Sequence, residues 1–222
     1  DRAIGRAEQQ AAIEQAAREQ ADSVPIAQVV EPQTSFTQSM VGSRVELVGS
    51  WEPELSYWVP GRELDGQPGY LLLTAFREDS TGALMPVVRG WVAQQSPEYL
   101  DLPRGTVSVM GYLAGTEPAE TGPPSGDEIE AVSAAALVNA WGAPIYSGQL
   151  LLISAQPHQG APDGEEILGM PPPVLPSAGL NLRNIAYAAE WFVFGGFALL
   201  LWWRMVRDEA RGRRETAAKT VA

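Results

Sequence analysis

Few residues in this chain are suited to chemistry. Its 222 residues include one histidine, His158, and no cysteine, so no thiolate is present to attack a substrate or hold a soft metal. His158 stands in a Pro/Gly-rich loop, HQGAPDG, with no second imidazole anywhere to share a metal or a haem iron. Any His-based triad would have to be built on that loop. The acidic pairs Asp127-Glu128 and Glu165-Glu166 lack the ordered alternation of a calcium loop, and no glycine-rich turn carries the pattern of a phosphate cradle. Both pairs read most simply as solvated surface. The residue types therefore point to a protein that is not an enzyme and brings no catalytic, cofactor-binding or metal site of its own.

Two polar features remain. Glu190 is the single ionisable group in the run Ile185–Trp203, IAYAAEWFVFGGFALLLWW. A carboxylate costs about 2.5–3.5 kcal/mol at the centre of a bilayer and less near its edge. Glu190 snorkels, marks a helix that starts later, or hydrogen-bonds a partner. Tyr187, Glu190 and Trp191 share one helix face by their three- and four-residue spacings, and Gly195 allows close approach of another helix. The second feature is Arg89-Gly90-Trp91 at the end of an apolar strand, read as a structural pair at the core edge or as a docking site. Tyr187, Glu190, Trp191, Gly195, Arg89 and Trp91 are thus the candidate partner-facing residues.

The elements that must position these groups follow from hydropathy and turn chemistry. Ile185–Trp203 is 19 residues long, about 28 Å as a helix, which matches the hydrocarbon thickness of a membrane. Tyr187, Trp191, Trp202 and Trp203 lie near its ends, where amphipathic rings favour the headgroups. The tail from 204 to 222 carries six of the 15 Lys+Arg residues, which places it in the cytoplasm and the main domain outside it. The chain before Asn184 holds nine Lys+Arg against 23 Asp+Glu, a net charge of −14. Such a domain repels nucleic acid and anionic lipid surfaces.

Residues 1–24 read as a polar helix continuing a membrane helix expected upstream of Asp1, because an exported domain needs an export signal. Residues 25–155 read as an extracytoplasmic α+β domain built on an antiparallel sheet or barrel. Its expected strands are Arg44–Trp51, Ser56–Val59, Gly69–Phe76, Met85–Val92, Thr106–Leu113 and Ala143–Ser154. A helix is expected over Glu128–Trp141, with Asp127 and Glu130 as a capping box and Gly142 as its C-cap. Residues 156–184 form a Pro/Gly-rich linker, 185–203 the membrane span and 204–222 the basic tail.

The segments VELVGSW, WVPGRELDGQPGYLLLTAF and VVRGWV, in that order and spacing, resemble the signature of the Surfeit locus protein 1 family of cytochrome c oxidase assembly factors. Gly49, Arg62, Gly66, Gly69, Tyr70, Thr74, Arg89, Gly90, Trp91 and Val92 match it, and Ala75 stands where the family usually has Pro. NLRNIAYAAEWFVFG is similar to the family's second membrane helix through Tyr187, Ala188, Trp191 and Phe192. The resemblance implies a bacterial plasma-membrane protein that assembles or stabilises cytochrome c oxidase. It also implies partners among the oxidase and the cytochrome bc-type subunits of a respiratory supercomplex, as in some actinobacterial relatives. A haem a carrier is the alternative. Members proposed to carry haem a have a His where this chain has Asn184, and Asn is no axial ligand.

Overall fold

The computed structural model describes residues 22–118, 126–161, 166–173, 187, 189–205 and 207. The expected N-terminal helix, the lower part of the linker with Asn184, and most of the basic tail lie outside these residues. The chain forms two compact units, Arg2–Ser177 and Ala178–Ala222.

The first unit is a closed β-barrel. A short strand β1 (Val24–Pro25) precedes β2 (Arg44–Leu64), β3 (Gln67–Glu78), β4 (Leu84–Val92) and β5 (Val107–Gly115). Helix α1 (Ala134–Trp141) and strand β6 (Gly148–Gln156) follow. The order β1-β2-β3-β4-β6-β5 closes through an added β2–β5 pairing. Strands β2 to β4 form a meander and β5 returns to lie beside β2, a Greek key that β6 completes.

An all-antiparallel sheet, as the sequence suggests, cannot close with five strands, because direction cannot alternate around an odd ring. β4 and β6 are the parallel pair, with Val87 opposite Leu150 and Val88 opposite Leu151.

The two expected strands 44–51 and 56–59 are one bent strand, β2. Its register against β3 slips between Glu52 and Ser56 and again between Val59 and Arg62. Pro53 and Pro60 sit at those irregularities, where a missing N–H leaves no ladder bond unmade. Asp65 and Gly66, both at positive φ (51° and 77°), make the two-residue turn into β3.

Alternation along the strands separates an inner core from an outer one, and Trp58, Leu72, Val92 and Tyr99 form a third, smaller cluster. Val45, Leu47, Trp51, Phe76, Met85, Val87, Val109 and Leu150 fill the barrel interior. Leu71, Leu73, Ala75, Leu84 and Val88 face outward and are covered by Ile129, Val132, Leu137 and Trp141 from α1 and the segment before it. With both faces covered, every residue of β4 is buried, as its nearly unbroken apolar sequence requires. Each Leu or Phe so buried contributes roughly 1.5–3 kcal/mol.

Helix α1 begins at Ala134 rather than Glu128. The backbone of residues 127–129 is instead drawn to β2: Trp58 N donates to Asp127 O at 2.8 Å, and Ile129 N donates to Trp58 O at 3.0 Å. The expected capping box is not formed, whereas Gly142 closes the helix in the left-handed conformation as expected. Strand β6 starts at Gly148, later than expected. The preceding residues form a separate link to β4, with Leu84 N donating to Pro144 O and Tyr146 N donating to Leu84 O.

In the second unit, residues 189–205 are helical and exposed throughout. Among the described residues no helix is long and apolar enough to cross a membrane. The span expected over 185–203 also includes 185, 186 and 188, which lie outside the described residues.

One carboxylate organises the β3–β4 turn. Glu78, buried at the end of β3, accepts from Ser80 N at 3.0 Å, Thr81 N at 2.9 Å and Thr81 Oγ1 at 2.6 Å. Burial alone would raise its pKa, but the hydrogen bonds from Ser80 and Thr81 together outweigh it and hold the group below the usual glutamate value. A depressed folded-state pKa stabilises the fold above the unfolded value, about 4.3. That contribution is lost as pH falls through the folded value. Glu78→Ala is expected to lower stability by about 2 kcal/mol at pH 7. Urea unfolding at neutral and acidic pH should show the gap between wild type and variant closing as the medium is acidified.

Candidate functional site

The RGWV segment closes the barrel where β4 and β6 part. Beyond Val88 no barrel strand pairs with β4 on the β6 side. At the same point the β3–β4 register slips, with Leu72 opposite Gly90 and Leu73 opposite Val88, so Arg89 is the extra residue of a bulge. Arg89 points inward, on the side of Met85 and Val87, with only 1% of it exposed, and the bulge turns Trp91 to the outer core.

Its guanidinium donates through Nη1 to Tyr99 O at 2.6 Å and through Nε to Gln159 Oε1 at 2.6 Å. Gln159 Nε2 donates back to Arg89 O at 3.3 Å. The cation lies 5.8 Å from the centre of the Trp51 ring, so Arg89 stacks on Trp51 rather than on its neighbour Trp91. Among the described residues Nη2 has no hydrogen-bond partner, and burial pushes the guanidinium down to about 9.

Trp91 holds the returning chain. Its N donates to Leu168 O at 2.8 Å and Leu168 N donates to Trp91 O at 3.0 Å. Gly90 lies beneath this contact at φ 147°, and a Cβ there would be 2.5 Å from Leu168 O and 2.5 Å from Ile167 Cγ2. The indole Nε1 of Trp91 donates to Arg62 O at 3.1 Å, and its ring packs so closely on Gly69 that a Cβ would come within 2.5 Å. Residues 159 and 166–170 thus form a strap along the free edge of β4.

Beside the strap lies a cleft of about 470 Å3, within the size range of small-molecule sites. Leu71, Val88, Leu151 and Met170 give it an apolar floor, and Arg62, Glu117 and Gln149 give it polar walls. Arg62 and Glu117 form a bidentate ion pair, Nη1 to Oε1 at 2.8 Å and Nη2 to Oε2 at 2.5 Å. Sequence reading missed this pair: its members are 55 residues apart, and only Arg62 stood out, as part of a motif.

The structure thus brings Arg89 and Trp91 together in the barrel, both buried. Tyr187, Glu190, Trp191 and Gly195 share the helix of the second unit, all exposed. Gly195 and Gly196 leave a shallow depression bordered by Trp191, Phe192 and Leu199. Among the described residues no group of three or more His, Cys, Asp and Glu side chains is arranged to hold a metal ion.

Desolvating Arg89 costs several kcal/mol. Two charge-assisted hydrogen bonds at about 1.5–3 kcal/mol each and a desolvated cation–π contact of about 2 kcal/mol offset it, so its net effect is positional. Arg89→Met is therefore expected to change global stability by less than about 2 kcal/mol while making residues 157–173 readily cleaved in limited proteolysis. Gly90→Ala, which drives a methyl into the Leu168 backbone, should cost about 2–4 kcal/mol and release the strap as well.

A search among curated proteins finds no match. A family model does match: the SURF1 family model covers residues 4–196, a range that contains both the barrel with its RGWV strap and the start of the exposed helix. The chain belongs to the SURF1 family, which is linked to cytochrome c oxidase assembly and haem a handling.

Proposed function

We propose that this chain is a non-catalytic membrane protein that assembles or stabilises cytochrome c oxidase, held as an accessory subunit of a respiratory cytochrome bcc–oxidase supercomplex. The observation that carries this reading is the bare helix. Trp191, Phe192, Val193 and Leu199 are 75%, 83%, 71% and 67% exposed, far more contiguous apolar surface than a protein leaves to water. Lipid or a neighbouring helix is the medium that suits it. The barrel, acidic by sequence, then stands outside the cytoplasm, and the basic tail inside.

Haem a carriage is the alternative reading, and the described helix offers no facing pair of axial ligands to support it. Axial ligands are His, Met, Cys or Tyr. The described helix offers only Tyr187 and Met205, which are about 27 Å apart along its axis.

Purification of the full chain from its native membrane in detergent, with identification of co-eluting proteins, tests the proposal. Oxidase subunits should co-elute, and the preparation of the chain alone should show no Soret band. Glu190→Leu is expected to reduce the co-eluting oxidase several-fold. Recovery of the chain by itself from the soluble fraction would overturn the reading, and stoichiometric haem on the isolated chain would favour the alternative.

A further inference from the structure

We propose that the cleft beside Arg62 binds a small-molecule carboxylate with an apolar body, and that the Glu117 carboxylate fills the anion seat when no ligand is present. This goes beyond the oxidase reading and stands whether or not that reading holds.

Three observations carry it. The first is the lining: Leu71, Val88, Leu151 and Met170 supply apolar surface, and Arg62 and Glu117, paired with each other, supply charge, so a ligand with one polar end and an apolar remainder matches it.

The second is the fork. The two terminal guanidinium nitrogens of Arg62 face the two Glu117 oxygens, a planar geometry that suits a carboxylate.

The third is the unequal tethering of the two partners. Arg62 follows the β2 bulge at Pro60 and Gly61, its carbonyl is gripped by the Trp91 indole, and its Nη2 also reaches Glu130 O at 3.5 Å. Glu117 lies beyond the end of β5 and is held by its backbone N–H to Val132 O at 2.8 Å. Its side chain can therefore turn away without breaking a strand. An incoming carboxylate displaces Glu117, whereas an incoming amine would have to uproot Arg62. Glu63, the other acid at the rim, is exposed and screened by water.

Fluorine NMR of a fluoronaphthoate, titrated onto the full chain in lipid nanodiscs, tests this. Empty nanodiscs and the corresponding fluoronaphthylmethylamine serve as comparisons. The naphthoate should bind saturably beyond its partition into empty discs, and the amine should not. Glu117→Gln, which removes the internal competitor, should tighten binding by roughly tenfold. Arg62→Gln should weaken it by at least roughly tenfold, with Arg62→Lys intermediate because it keeps the charge and loses the fork. Equal binding of the amine, no saturable binding to Glu117→Gln, or a weaker Glu117→Gln complex would each overturn the proposal. The Glu117→Gln arm decides the matter even if Arg62→Gln fails to fold, and no arm involves the oxidase.

Discussion

Five strands arranged in a ring must include one pair that runs in the same direction, and this molecule confines that pair to two residues on each side, Val87 and Val88 against Leu150 and Leu151. The short seam leaves the far end of β4 with peptide groups that no barrel strand meets. Buried peptide groups without partners are costly, so something must fill the gap. The chain does so with its own continuation beyond β6: Leu168 completes the backbone bonds of Trp91, and Gln159 joins both the side chain and the carbonyl of Arg89.

Three adjacent residues then do three different jobs in one place. Arg89 turns into the interior at a bulge, stacks on Trp51 and fixes Tyr99 and Gln159. Gly90 lets another backbone pass within the distance a side chain would occupy. Trp91 points outward, joins the strap and, through its indole, fixes the carbonyl of Arg62. That last bond ties the closure of the barrel to the cleft, because the residue presenting its charge to the cleft is held by the residue that holds the strap.

Much of this order was legible in the sequence wherever a local signal had no long-range competitor. The runs containing GYLLLTAF, MPVVRGWV and TVSVMGYL became β3, β4 and β5 because short, mostly apolar segments and the turns that bound them agree there. Asp65-Gly66 became the hairpin turn its residue types favour.

Where local signals misled, tertiary pairing had overruled them. The expected strands 44–51 and 56–59 proved to be one, with its irregularities around Pro53 and Pro60. Asp127 and Glu130 looked like a capping box, but the neighbouring backbone was taken by Trp58. Alternation carries Arg89 inward with Met85 and Val87, but the bulge there breaks the pattern and turns Trp91 to the outer core. The Arg62–Glu117 pair joins distant positions, so no spacing rule could reveal it.

The strap also has a place in the covalent chain. Residues 166–170 come after the last barrel strand and before the exposed helix, so along the chain the Leu168–Trp91 bridge stands between that helix and Gln159.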